Sequence, residues 1–239
     1  MNEKSTVDEI RARFDTDVER FSRRDTGQTA LIDAVLALDL IADAALAVTP
    51  DAAHLLDIGC GAGNFALALL ERPPNRAVTL CDLSAPMLDR ARERVTAVTT
   101  GQVETVQADI LEWDLPAESV DVIVAGSVLH HLRTDDEWES VFAKLFAALR
   151  PGGSLWVSDL VEAAHPGVET QMWNRYGAYL SALNGDEYRD KVFAYIATED
   201  TPRPLWYQLD LLRRVGFVQI EILHKNAVSA AFGAIKTVG

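Results

Sequence analysis

Apolar positions along this chain recur at two different periods. In residues 7–21, Ile10, Phe14, Val18 and Phe21 stand about one helical turn apart, which predicts an amphipathic helix. The polar stretch 23–29, with Gly27 in it, predicts a loop. A second helix is predicted over 31–48, stopped by Thr49-Pro50. From residue 54 onward, short apolar runs alternate with helical stretches. Strands are predicted at 54–58, 77–81, 103–107, 120–125 and 154–159. Helices are predicted at 64–71, at 85–98 with Ser84 as N-cap, and at 135–149, the last ended by Arg150-Pro151-Gly152-Gly153. Strands separated by helices imply a parallel sheet with right-handed crossovers.

Residues 166–195 break that rhythm. They read as mostly helical and are rich in aromatics, among them Trp173, Tyr176 and Tyr179. A helix over 204–215 ends at Gly216, and strands at 217–224 and 228–236 follow with only a short turn between them, which predicts an antiparallel pair. The expected fold class is α/β: a Rossmann-like, seven-stranded, mostly parallel sheet with one antiparallel edge strand, helices on both faces and a helical lid. Residues 1–50 would form the N-terminal helical lid. Residues 51–239 would form the ligand-binding domain, with a helical insert at about 160–200. No internal repeat or low-complexity segment interrupts this plan.

Composition narrows the setting. The 239 residues are 49% hydrophobic, enough for one well-buried domain with a modest extra lobe. No apolar run of about 18 residues is free of charge, so no transmembrane helix is expected. The opening MNEKSTVDEI is too polar for a signal peptide. Cys60 and Cys81 are the only cysteines, so a disulfide framework is not expected and a reducing cytoplasm is the simplest home. A formal net charge of −14 disfavours broad nucleic-acid binding. Arg20, Arg23 and Arg24, and the pair Arg213 and Arg214, read as solvated charges.

The candidate chemistry begins at residues 55–65, LLDIGCGAGNF, where a strand runs through Asp57 into Gly59, Gly61 and Gly63 and then into a helix. This layout sets bare backbone and a helix N-terminus beside a ligand. Dinucleotide-binding folds share a glycine loop, but their fingerprint wants Gly or Ala where Asn64 stands, and no Gly-Lys-Ser/Thr follows to make a P-loop. Asp82 and Asp109 close the next two strands. Acids at three successive strand ends sit where open α/β sheets bind ligands. Together with LRPGGSLWVSD at residues 149–159, these motifs resemble the class I S-adenosylmethionine (SAM)-dependent methyltransferases. That resemblance implies SAM as cofactor and S-adenosylhomocysteine as its product. It implies a cofactor site made by Asp57, Gly59, Cys60, Gly61, Gly63, Asp82, Leu83, Met87, Asp109, Ile110 and Ser127, with Asp82 on the ribose hydroxyls and Asp109 toward the adenine.

SAM carries an already activated methyl group, so the protein must chiefly orient the acceptor and exclude water. No nucleophilic triad and no metal-ligand spacing stands out. His130 and His131 follow the fourth strand, where the family's transfer site lies, and are the candidate catalytic residues. Their other reading is packing and hydrogen bonding against the sheet. Trp173, Tyr176 and Gln28 are the candidate acceptor-pocket residues. The aromatics recur at three-residue spacing and would otherwise serve to hold the lid to the core.

The whole chain is also similar to the carboxy-SAM synthase group, through FDTDVERF, the loop with Gly27, and RRVGF followed by AVSAAFGAIK. Enzymes of that group bind SAM and prephenate, and their product serves tRNA modification. Three positions depart from it: Gln28 replaces a tyrosine, Gly126 an asparagine, and Leu211 an arginine that pairs with the carboxylate. Only Arg214, about 300° around the helix from Leu211, could face the same side. The expectation is a relative that uses plain SAM on a small-molecule acceptor. The alternatives are a carboxy-SAM synthase-like or tRNA-modification-linked enzyme, and a SAM-binding regulatory protein without turnover. A homodimer through apolar lid surfaces is a further possibility.

Overall fold

The computed structural model describes residues 4–24, 28–71 and 74–237, so the Gly27 turn lies outside the described residues. The chain opens with two short helices, α1 (Val7–Phe14) and α2 (Val18–Phe21), and a longer α3 (Ala34–Val48). The single helix predicted over 7–21 is thus broken at Asp15. There the Asp15 carboxylate turns outward to accept from Ser84 Oγ at 2.6 Å, while Thr16 Oγ1 donates to Arg13 O at 2.9 Å. Side chains that bond elsewhere compete with helix continuation. The second helix starts later than its pattern predicts because Asp33 takes φ +58°. His224 Nε2 at 2.9 Å and Asn226 Nδ2 at 2.8 Å hold its carboxylate there.

The alternating section folds as its pattern dictates. In order it contains β1 (His54–Ile58), α4 (Asn64–Leu70), β2 (Ala77–Asp82), α5 (Ala85–Thr96), β3 (Val103–Gln107), β4 (Val120–Gly126), a 3₁₀ turn (Leu129–His131), α6 (Asp135–Ala148) and β5 (Leu149–Leu160). The helical insert is two helices, α7 (Pro166–Asn184) and α8 (Asp186–Glu199), parted by Gly185 at φ +84°. Helix α9 (Leu205–Val215) and strands β6 (Gln219–Asn226) and β7 (Ser229–Ile235) complete the chain.

The seven strands lie in the order β3-β2-β1-β4-β5-β7-β6. Strands β1 to β5 are mutually parallel, and β7 runs antiparallel to both β5 and β6. The reversed strand therefore stands one place in from the edge, because the short hairpin lays β6 outside and feeds β7 back against β5. One apolar layer packs α6 and α9 on the sheet through Trp138, Phe142, Leu145, Leu212 and Phe217. The opposite layer packs α3, α4 and α5 through Ile41, Leu69, Ala91 and Val95. A third cluster joins the insert to the sheet through Leu160, Tyr176, Leu180 and Ile196.

Trp156 of β5 is fully buried, donates Nε1–H to Ser154 Oγ at 3.0 Å, and lies so close to Gly233 of β7 that a Cβ there would come within 2.2 Å of its ring. Trp156→Ala should cost about 3–5 kcal/mol in denaturant unfolding. Trp206→Ala, at a side chain left 67% exposed, should change stability by no more than about 0.5 kcal/mol.

Candidate cofactor and acceptor cleft

The glycine loop between β1 and α4 is pressed flat against the carboxyl edge of the sheet. Gly59, Gly61 and Gly63 all take positive φ. A Cβ on Gly59 would stand 2.6 Å from the Val128 side chain, so no larger residue fits unless the loop lifts. Cys60 N–H donates to Cys81 O at 3.0 Å and Gly63 N–H to Cys60 O at 2.7 Å. Asp82, at the end of β2, accepts Gly61 N–H on Oδ2 at 2.8 Å and Ser84 N–H on Oδ1 at 2.9 Å. Each of its oxygens keeps a further lone pair for a ligand hydroxyl. Burial raises the Asp82 pKa, against the lowering effect of those backbone donors.

Asp109 follows β3 and caps its own turn, accepting Leu111 N–H at 2.9 Å. Lys144 of α6 fixes the same turn by donating to Ile110 O, Leu111 O and Trp113 O at 2.6–3.0 Å. Ser127, after β4, is held at φ +55°, the left-handed region that a non-glycine residue occupies only under tertiary constraint. These segments enclose a cleft of about 300 Å³. Gly59, Cys60, Gly61, Asp82, Leu83, Met87, Asp109, Ile110 and Ser127 all line it. Asp57 and Gly63 lie behind the loop instead, and Asp57 Oδ2 accepts Ala66 N–H at 3.0 Å to tie α4 to β1.

The rest of the lining comes from Ser5, Thr6, Val7, Ile10, Phe14 and Phe21, with Gln28, Phe65, Val128, His131, Leu132, Arg133 and Glu137. The Gln28 side-chain amide has no hydrogen-bond partner among the described residues. The two histidines part company. His131 is in the wall, whereas His130 is buried behind it with Nδ1 against Asp159 Oδ1. Burial alone would lower the His130 pKa, but Asp159 and Asp200 raise it to about 9. Burial, with His130 and Arg133 beside it, holds His131 well below the usual imidazole range.

Trp173 and Tyr176 lie outside the cleft, which corrects their reading as pocket residues. Trp173 Nε1–H donates to Glu169 at 2.5 Å and Tyr176 Oη–H to Ala30 O at 2.9 Å, while Tyr179 Oη–H donates to Thr29 O at 2.7 Å. Their polar ends are spent within the insert and on the segment before α3, and their rings form the core of the insert. Ile10, Phe14 and Phe21, placed by their spacing on an amphipathic helix of the expected lid but not read as pocket residues, line the cleft. This N-terminal wall is clasped to the end of α8: Lys4 Nζ donates to Ala197 O at 2.7 Å, and Ser5 Oγ and Arg13 both reach Glu199 Oε1, at 2.5 and 2.7 Å.

The three positions that depart from the carboxy-SAM group are equally clear. A Cβ on Gly126 would stand 2.1 Å from the Phe65 ring, so an aromatic face fills the space an amide side chain would need. Leu211 is buried in the α6–α9 layer. Arg214 pairs with Glu139 at 2.5 Å and Asp210 at 3.3 Å, and it does not line the cleft.

Burial raises the Asp57 pKa to about 7, against the opposing effect of the Ala66 N–H, with Asp82 adding to the rise. The native state therefore keeps a proton that the unfolded chain releases near pH ~4. The contribution of Asp57 to stability is fully present below that point and is lost as pH rises toward 7. Unfolding midpoints measured from pH 5 to 7.5 should fall less steeply in Asp57→Asn than in the parent, and equal slopes would contradict this assignment.

Residues 55–153 match the family model described as a methyltransferase domain. A trans-aconitate 2-methyltransferase of Paracidovorax citrulli is 44% identical over 105 residues, 44% of this chain and 37% of that protein. The chain thus spans well under half the length of that relative. A demethylmenaquinone methyltransferase of Listeria monocytogenes is 27% identical over 188 residues, 77% of this chain and 78% of the relative. Among solved structures, human N-acetylserotonin methyltransferase in complex with SAM superposes with a TM-score of 0.60 at 20% identity, covering 95% of this chain and 59% of that one. By its glycine loop, its strand-end acids, its sheet and these matches, the chain is similar to the class I SAM-dependent methyltransferases, with a methyltransferase domain matched over residues 55–153.

Proposed function

We propose that this protein transfers the methyl group of SAM to a small, largely apolar acceptor and releases S-adenosylhomocysteine. The observation that carries the reading is the division of one cleft into two unlike walls. The carboxyl-edge wall offers backbone, the two acids Asp82 and Asp109, and the apolar Leu83 and Met87. This set fits the cofactor: carboxylate lone pairs remain for ribose hydroxyls, and the flat Gly59 loop leaves room for a ligand to approach the backbone. SAM bound there would supply a methyl group on a cationic sulfur, ready for in-line transfer to a nucleophile.

The acceptor wall is aromatic and aliphatic: Ile10, Phe14, Phe21, Phe65, Val128 and Leu132. We assign His131 to contact with the acceptor and His130 to supporting it from behind. The one arginine among the described lining residues, Arg133, is spent on Ser5 O at 3.3 Å, Thr201 Oγ1 at 3.1 Å and Glu199 O. A carboxylate-rich acceptor, or a carboxylated sulfonium, would lack a free cation to pair with. The apolar wall also excludes water, which a sulfonium methyl donor requires. Two buried free cysteines, Cys60 and Cys81, suit a reducing compartment such as the cytoplasm.

Mass spectrometry of small molecules released from freshly purified, denatured protein tests the reading. SAM or S-adenosylhomocysteine is the expected result, and carboxy-SAM would place the protein with the synthases instead. Asp82→Ala should weaken SAM binding by about 1.5–3 kcal/mol, the range for hydrogen bonds to a charged group. Unchanged affinity in a calorimetric titration would mean that the ribose does not lie on Asp82.

A further inference from the structure

Asp200, just past the end of α8, takes no part in lining the cleft, yet its side chain is 1% exposed. Its Oδ1 has no hydrogen-bond partner. Two imidazole nitrogens face that oxygen, His130 Nε2 and His131 Nδ1, each at 3.5 Å. His131 Nδ1 is also buried without a partner. All three atoms lie within 4.8 Å of one another. Three buried polar atoms thus converge on one point and leave a gap in the hydrogen-bond network, none close enough to satisfy another. Buried polar groups are seldom left this way, so the gap calls for an occupant.

We propose that the gap is a binding site for a divalent transition-metal ion of the zinc type, ligated by His130 Nε2, His131 Nδ1 and Asp200 Oδ1. Two imidazole nitrogens and a carboxylate oxygen are a ligand set that zinc takes in proteins, with a fourth position left open. Tetrahedral bonds of about 2.0–2.1 Å place ligand atoms about 3.3–3.4 Å apart. The two nitrogen–oxygen separations of 3.5 Å are already close to that spacing. The widest separation must shorten as the rings turn inward.

The surroundings of His130 are those of a metal-bound histidine. Its other nitrogen, Nδ1, bonds to Asp159 Oδ1, which fixes the ring and turns Nε2 toward the gap. Asp159 is itself anchored by backbone N–H groups of Leu129 at 2.9 Å, His130 at 3.2 Å and Leu160 at 2.7 Å. The site would also have a mechanical effect. His130 and His131 follow β4 of the sheet, whereas Asp200 belongs to the insert whose end clasps Lys4, Ser5 and Arg13. A bound ion would therefore tie the insert, and through it the N-terminal wall, to the floor of the cleft.

The test uses the full chain, stripped with a chelator and then titrated with Zn²⁺ or Co²⁺. The expected result is one ion per chain by elemental analysis, a visible Co²⁺ spectrum of tetrahedral type, and a thermal midpoint that rises with free metal. Asp200→Asn and His131→Gln should each lose this uptake. Asp159→Asn should weaken it by roughly tenfold to a hundredfold. Glu199→Gln, whose carboxylate turns to Arg13 and Ser5 instead, should keep the stoichiometry. Absence of stoichiometric uptake by the parent chain overturns the proposal, as does equal uptake by Asp200→Asn and His131→Gln. The gap would then hold a water or a proton shared by His130 with the two carboxylates.

Discussion

The cleft depends on the loop from Gly59 to Gly63 lying flat on the carboxyl edge of the sheet. Four contacts hold it there. Cys60 bonds to the backbone of β2, Gly61 bonds to Asp82, Gly63 closes onto Cys60, and Asp57 reaches past the loop to the first turn of α4. Gly59 makes the fit possible, because any Cβ would strike Val128. A lifted loop would withdraw the backbone from any ligand and release one of the two donors that orient Asp82. It would also free Val128 and the Ser127 turn, which continue the cleft lining. Two parts of the cleft lining are thus consequences of one close approach.

The other half of the site is held by charge rather than by packing. Glu199 is buried at the end of α8. Burial alone would raise its pKa, but Arg13 and Ser5 hold it low by bonding to it. Removing one partner of such a pair costs more than the pair contributes, because a buried charge is then left uncompensated. The N-terminal helices bring Ile10, Phe14 and Phe21 to the cleft because this clasp fixes where α1 begins. Arg133 is drawn into the same clasp, so its guanidinium is spent on Glu199 O, Thr201 Oγ1 and Ser5 O.

The sheet and the strand-end residues that line the cleft were legible in the sequence because both are local. Period-two and period-3.6 patterns set the strands and helices, and a strand-end residue such as Asp82 or Asp109 reaches the carboxyl edge wherever its strand lies in a parallel sheet. The misreadings were all tertiary in origin. The helix break at Asp15 depends on Ser84, and the late start of α3 depends on His224 and Asn226. Trp173 and Tyr176 share a helix face as their spacing requires, but spacing cannot say whether that face meets a ligand or the neighbouring helix. The gap between His130, His131 and Asp200 joins residues about 70 apart, beyond the reach of any spacing rule.

The most direct test of the account is a calorimetric titration of the parent protein with SAM and with S-adenosylhomocysteine. One site per chain is expected for each ligand, with binding weakened by changes at Asp82. Failure of both ligands to bind to folded protein would contradict it, because the cleft would then be built for something other than SAM.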